Sequence, residues 1–344
     1  MIDLLMQYGL FLAKSITIVV AILVVFGSIF ALVREAREHA HERLEVKNIN
    51  HRFEHMADLL NQELLGADEL KRTHKARAKE EKQRLKAIKS GKEKARPRVF
   101  TLDFDGDINA TPVDCLREEI SAILQVAQKE DEILLRLESG GGLVHSYGLA
   151  ASQLTRIRDR NIKLTVAVDR VAASGGYLMA CVADKILAAP FAIVGSIGVV
   201  AQIPNFNRVL KKHEIDLELH TAGQYKRTLT MFGENTEEGR AKFQEELEDT
   251  HTLFKKFVAE NRPSLNLDKV ATGEHWYGTR ALEIKLVDEL KTSDDYLLAR
   301  SKEADVYEVK FRERRSLSDR LSQGLVKLGL GLRGGLEKAW TRPI

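Results

Sequence analysis

From Val99 to Ala189 short apolar runs alternate with stripes of helical spacing, and most changes are marked by a glycine or proline turn. VFTLDFDG (99–106) alternates apolar and polar residues and then turns. Thr111 and Pro112 supply an N-cap and a first-turn proline before a stripe of Val113, Leu116, Ile120 and Ile123. EILLRLE (132–138) predicts a strand, Gly140–Gly142 a turn, and Val144 to about Arg158 a helix. KLTVAVD (163–169) predicts the next strand, followed by a glycine turn, a short apolar helix and a strand near 185–189. Strands that keep trading places with helices pair in parallel, so the expected class is an α/β layer. Further on, Asn235 and Glu238 predict a capping box for a long amphipathic helix that stops near Asn261, before Pro263.

The flanks have a different texture. Ser15 to Val33 holds 19 residues without a charge, a helix of about 28 Å and long enough for a bilayer core. No small-x-small cleavage site is evident, so an uncleaved anchor is expected. Residues 34–97 are rich in Glu, Lys, Arg, Ala, Leu and Gln without a sustained heptad, which predicts a charged helical stalk ended by Pro97. Residues 71–98 carry thirteen Lys or Arg against three Glu, so the net charge of +3 understates a local basic block. A solvated helix accounts for such a block, and so does contact with anionic lipid. No aromatic interleaving or nucleic-acid module accompanies it, which sets nucleic acid aside. The basic excess after the span argues for a cytoplasmic body, although long domains cross membranes despite their charge. In the tail, Leu317, Leu321, Leu325, Leu328, Leu332 and Leu336 make one apolar stripe among basic residues. Ile186 to Asn207 is also uncharged, but Pro190, Gly195, Gly198 and Pro204 favour buried strand and turn over a second span.

Three pieces carry candidate chemistry. Ser174 follows a strand-like run and precedes Gly175, Gly176 and an apolar helix. Small neighbours let a peptide backbone approach its hydroxyl, and a helix start offers free N–H groups where an oxyanion would form. Gly140, Gly141 and Gly142 make a second turn that admits close backbone approach. It matches neither GxxxxGK[ST] nor GxGxxG, so a nucleotide is not indicated. Lys226 lies in HTAGQYKRT (220–228). A free lysine, with a pKa of about 10.4, acts as a base only after burial lowers that value. Taken singly, Ser174 reads as an ordinary turn and Lys226 beside Arg227 as a surface pair. Cys115 and Cys181, the only cysteines, have no metal-ligand spacing, and no cofactor is expected. His145, His220, His251 and His275 are not distinguished from one another, and no GxSxG elbow supports a Ser-His-Asp triad.

Taken together and in order, LRLESGGGLVHSYGLA (135–150), VDRVAASGGYLMACVADKI (168–186), GSIGV (195–199), GQYKRTLT (223–230) and GEHWYGTRALEIKLVDEL (273–290) resemble the signal peptide peptidase A family of serine–lysine peptidases. The resemblance runs from about Arg98 to Leu290. It implies that Ser174 is the nucleophile and that Lys226, 52 residues later, is the general base. It implies oxyanion donors at Gly142 and Gly175, and a Ser196 hydroxyl that positions Lys226 or water. Gly141, Gly195, Ile197 and Gly198 would border the substrate. The chain departs from the family at Gly140, where proline is usual. The implied fold is a crotonase/ClpP-like stack of ββα units. Short members form rings in which serine and lysine can come from neighbouring protomers.

The expected organisation is therefore an N-terminal flank (1–14), an anchor (15–33), a stalk (34–97), a peptidase domain (98–295) and a basic amphipathic tail (296–344). The expected activity is peptide-bond hydrolysis at the inner (cytoplasmic) membrane, on membrane-proximal peptides or signal-peptide remnants. The alternatives are a crotonase-type acyl-CoA enzyme, which would use carboxylates that the turn after Val171 lacks, and a non-catalytic membrane scaffold.

Overall fold

The computed structural model describes residues 43–92, 94 and 96–312, together with Lys14, Thr17, Val19 and Val20. Nearly all of the expected anchor, and the leucine stripe of the tail, lie outside the described residues. Among the described residues no helix is long and apolar enough to cross a membrane. One compact unit, Glu45–Lys310, holds every element of the candidate site.

The stalk and tail boundaries expected at 98 and 295 both move outward. β1 (Arg43–Asn48) leads into two helices, α1 (Ile49–Leu64) and α2 (Ala67–Lys89), in place of one long stalk. Asn48 caps α1 by accepting the His51 N–H at 3.1 Å. Arg77 of α2 donates to Asp58 of α1 at 3.0 Å. Asn50 then ties this hairpin to the far end of the chain. Its amide donates to the carbonyls of Ser301 (2.8 Å) and Ala304 (3.0 Å) and accepts from the Val306 N–H (2.7 Å). Residues assigned to the tail are thus part of the sheet unit.

The main sheet runs β1, β10 (Asp305–Arg312), β2 (Arg98–Gly106), β3 (Glu132–Ser139), β4 (Lys163–Val168), β6 (Lys185–Ala188) and β9 (Glu289–Leu290). From β10 to β9 every pair is parallel. The connections are made by α3 (Val113–Val126), α4 (Val144–Arg158) and other helices, as the alternation predicts. At its end β3 forks. Ser139 pairs with Ala172 of β5 (Val171–Ala173), and β5 pairs in parallel with β7 (Ile193–Gly195). β7 meets β8 (His275–Tyr277) antiparallel. β4, β5 and α5 (Gly175–Ala180) make one strand–strand–helix unit of the kind expected.

Strand alternation sorts the core into two layers. Phe100, Leu102, Phe104, Ile133, Leu135 and Leu137 face the layer that holds the stripes of α3 and α4. Val99, Leu134, Ala167 and Leu187 face the other side. There Ile49 of α1 and Tyr296 and Leu297 of the helix Ser293–Arg300 cover them. Each fully buried leucine contributes about 2 kcal/mol before chain entropy is set against it.

The long helix α7 (Glu237–Asn261) follows α6 (Asn207–Lys212) and stops where Pro263 predicts. Its cap differs from the expected one. Thr236 accepts the Gly239 N–H at 3.1 Å, while the Asn235 side chain is committed to the backbone of Thr230. Likewise Thr111 does not cap α3. Its hydroxyl donates to Asp107 at 2.5 Å inside the preceding turn, and the helix begins after Pro112.

Candidate active site

Three loops leave the carboxyl ends of three adjacent parallel strands. Gly140–Gly142 follows β3, Ser174 follows β5 and Ser196 follows β7. Ser139 is level with Ala172, and Ala173 with Gly195. Neighbouring strands lie about 4.8 Å apart, so this register alone sets the three loops side by side.

Ser174 is held in an uncommon backbone conformation, φ 53° and ψ −119°, at the start of α5. An L-residue with positive φ and that ψ is strained, and such strain persists where the surroundings over-determine it. Here the Ser174 N–H donates to the Gly195 carbonyl at 2.8 Å, and its carbonyl accepts the Leu178 N–H at 2.9 Å. Ser196 also has positive φ, 52°, and its N–H donates to the Glu274 carbonyl at 2.6 Å.

The glycine turn presses against the serine. Gly141 has φ +88°, and a β-carbon there would lie 2.7 Å from both the Ser174 β-carbon and the Gly175 nitrogen. A β-carbon on Gly142 would lie 2.1 Å from the Ile108 carbonyl oxygen. Glycine is required at both positions, at Gly141 for conformation as well as space. The Gly142 and Gly175 N–H groups have no acceptor among the described residues. They remain available to an oxygen on a carbon attacked by Ser174.

A cleft of about 400 Å³ opens beside Ser174. Gly142, Ser174 and Gly175 form its reactive edge. Its walls are largely apolar, with Val144, Leu178, Val200, Leu253, Phe254 and Phe257 among them. Such a cleft accepts an extended chain with a large apolar side chain next to the attacked carbonyl.

The other expected site residues divide. Gly198 lines the cleft with Val199 and Val200. Gly195 and Ile197 do not. Ile197 is wholly buried, and Gly195 is enclosed by Trp276, whose ring carbon would lie 2.8 Å from an added β-carbon. Both support the loop from below, because alternation along this stretch turns them into the core. Ser196 lies next to that loop but is not part of the cleft wall. Lys226 is exposed, lies outside the wall around Ser174, and its amine has no hydrogen-bond or ion-pair partner among the described residues.

Sequence reasoning missed the contribution of α7. Leu253, Phe254 and Phe257 form an apolar stripe, and a stripe that lines a cleft has the same spacing as one that packs a core. It also missed Ser139 and Tyr147, which lie buried beneath the glycine turn. Cys181 is buried, and burial pushes its thiol well up, which leaves it inert. Among the described residues no group of side chains could hold a metal ion.

The sequence matches a known family. A model described as Peptidase family S49 N-terminal matches residues 3–154, and one described as Peptidase family S49 matches residues 156–307. A protein of Haemophilus influenzae (strain ATCC 51907 / DSM 11121 / KW20 / Rd) named "Probable protease SohB" is 53% identical over 322 residues, covering 92% of this chain and 91% of that protein. A second "Probable protease SohB", from Buchnera aphidicola subsp. Schlechtendalia chinensis, is 50% identical over 305 residues, covering 87% of this chain and 100% of that protein. Among solved structures, a protein titled a 1510-N membrane-bound stomatin-specific protease overlays with a TM-score of 0.40 at 15% identity, over 60% of this chain and 85% of that one. The two models between them span the glycine turn, Ser174, Ser196 and Lys226, and the chain belongs to peptidase family S49.

Proposed function

We propose that the chain is a serine endopeptidase in which Ser174 attacks the peptide carbonyl and Lys226 serves as general base. The observation that carries the reading is the placement of a strained Ser174 against two unsatisfied glycine N–H groups at the edge of an apolar cleft. Neutral Lys226 takes the Ser174 proton as Oγ bonds to the carbonyl carbon. The carbonyl electron pair moves onto oxygen, where the Gly142 and Gly175 N–H groups hold it. Collapse breaks the C–N bond, and the lysine ammonium gives its proton to the leaving amine. Water, deprotonated by Lys226, then releases the acyl group and restores Ser174. Ser196 orients Lys226 or that water.

The site is completed between copies of the chain. Lys226 sits in an exposed stretch that also exposes Val200, Phe206, Ile215, Leu217, Leu219 and Tyr225. Several large apolar side chains exposed along one stretch support an interface there. A neighbouring copy that covered the stretch would bury Lys226 and lower the cost of its neutral form. A ring of copies anchored by Ser15–Val33 in the inner membrane would act on membrane-proximal peptides, signal-peptide remnants among them.

Two measurements test this. Fluorophosphonate should label the wild type and not Ser174→Ala. Ser174→Ala and Lys226→Ala should each be inactive as pure assemblies. Co-assembled one to one, they should recover about a quarter of wild-type activity, since one intact pair arises for every four interfaces. Equal peptide hydrolysis by wild type and Ser174→Ala would sink the serine assignment. Inactive mixtures would sink the shared site.

A further inference from the structure

The two N–H groups proposed to hold the oxyanion come from different segments, and one side chain touches the supports of both. Tyr147 of α4 is fully buried. Its ring lies under Gly175, where an added β-carbon would be 2.4 Å from the ring. Its hydroxyl reaches the other way. It donates to the Asp107 carbonyl at 2.7 Å and lies 2.5 Å from the Ser139 hydroxyl. Ser139 in turn accepts the Gly141 N–H at 3.0 Å.

Proton counting gives this cluster one direction. A carbonyl only accepts, so the single phenol proton points at Asp107. The Ser139 proton then fills the short contact, in preference to the more distant Gly106 carbonyl at 3.3 Å. The chain reads Gly141 N–H to Ser139 O–H to Tyr147 O–H to the Asp107 carbonyl. Each hydroxyl donates and accepts once, and successive bonds of this kind strengthen one another. Burial raises the Tyr147 phenol above its ordinary value, so the chain keeps its protons across any neutral assay range. The same turn closes from the Asp107 side. The Leu143 N–H donates to the Ile108 carbonyl at 2.9 Å, and Gly142 packs on that carbonyl.

We infer that Ser139 and Tyr147 are positioning residues that couple the two oxyanion donors, fixing the glycine turn relative to Gly175 through one buried hydroxyl chain. The inference rests on the proposed role of Ser174, Gly142 and Gly175. An added β-carbon on Gly140 meets nothing within 4 Å, whereas Gly141 and Gly142 are tightly enclosed, so the close contacts of the turn are made at those two residues. The stabilisation conferred on an oxyanion depends on donors being fixed before the charge develops. The Tyr147 ring borders the cleft, but its hydroxyl is engaged with Ser139 and Asp107, so removing either hydroxyl keeps the cleft wall and ground-state affinity should be spared.

The test compares Ser139→Ala, Tyr147→Phe and the double variant with the wild type as assembled full-length protein. Rates on one fluorogenic peptide are divided by the sites labelled to completion with a fluorophosphonate. Each single variant should lose about tenfold in kcat per labelled site with KM within about twofold. Affinity for a peptide aldehyde, whose adduct with Ser174 carries the tetrahedral oxygen, should fall by a similar factor, while affinity for the matching peptide alcohol holds. The double variant should lose no more than the worse single, since the hydroxyls act as a unit. Unchanged kcat in both singles overturns the inference, as does a loss in the double equal to the product of the singles, or a matching loss of alcohol affinity. An inactive Ser174→Ala beside unchanged single variants would overturn this inference alone. A fully active Ser174→Ala would overturn it together with the serine reading.

Discussion

Gly141 lies directly against Ser174, so close that a β-carbon on the glycine would sit 2.7 Å from that of the serine. Two strand ends, from β3 and β5, are brought to this contact by the pairing of Ser139 with Ala172. The contact excludes a side chain at Gly141 and sets the backbone of the turn against the serine.

Gly141→Ala tests that relation. The substitution meets both a positive φ of +88° and the clash with Ser174 and Gly175. Strain of about 1–2 kcal/mol is expected from the backbone alone. The turn should shift to relieve the clash, and kcat should fall by at least about 100-fold, the scale of a lost oxyanion donor. Peptide kinetics and a melting curve together check this. A kcat within tenfold of wild type would show that the turn does not bound the oxyanion.

Gly148 tests the cleft. It lies on α4 and lines the cleft, and a β-carbon there meets nothing within 4 Å. Gly148→Leu should therefore fold, with helix propensity adding up to about 1 kcal/mol of stability. The new side chain fills apolar space. Cleavage after large apolar residues should weaken by about tenfold in kcat/KM, while cleavage after alanine should hold, because a lost apolar contact of that size is worth 1–3 kcal/mol. An unchanged preference across a peptide library would remove the cleft from substrate recognition.

Glu132 tests the opposite end of the sheet. Its buried carboxylate accepts from Thr165 at 2.6 Å and Tyr296 at 2.5 Å, with Arg300 at 3.0 Å and Lys163 at 3.4 Å. Burial acts to raise its pKa, but the Thr165 and Tyr296 hydrogen bonds and the charges of Lys163 and Arg300 outweigh burial, so the folded value lies below the ordinary 4.5. A depressed folded value gives stability that is present above the unfolded value and lost as pH falls through the folded one. The wild type should weaken as pH drops below about 4.5. Glu132→Gln should cost about 2 kcal/mol at pH 7, since Thr165 and Tyr296 lose a charged acceptor while Arg300 keeps Glu303, and should flatten the acid slope. Denaturant titrations at pH 7 and pH 4 provide the check; equal slopes in both proteins would rule out this linkage.

Much of the scaffold was legible without coordinates. The helix expected from Val144 to Arg158 is observed at those residues, and EILLRLE forms all but the last residue of β3. Both follow from side-chain spacing within a few residues, which local sterics and burial translate directly into helix or strand. Other features were illegible because their causes are distant in the chain. DVYEVKFR (305–312) lies within the expected tail, yet it forms β10 because Arg98–Thr101 offers an open parallel edge about 200 residues earlier. Asn50 closes that junction from a segment expected to be a free stalk.

The candidate site shows the same division. The sequence by itself determined that serine and glycine turns would end strands, and its resemblance to a family named Ser174, Gly142 and Gly175 together. Only the tertiary structure decided that β3, β5 and β7 lie side by side, that Ile197 and Gly195 turn inward while Gly198 faces the cleft, and that Phe254 and Phe257 close its wall. Only it linked Gly141 to Tyr147 through Ser139. The physical reason is the range of the interactions. Turn chemistry and periodicity act over a handful of residues, whereas strand order and the choice of which apolar stripe borders a cleft are set by packing between segments far apart in the chain.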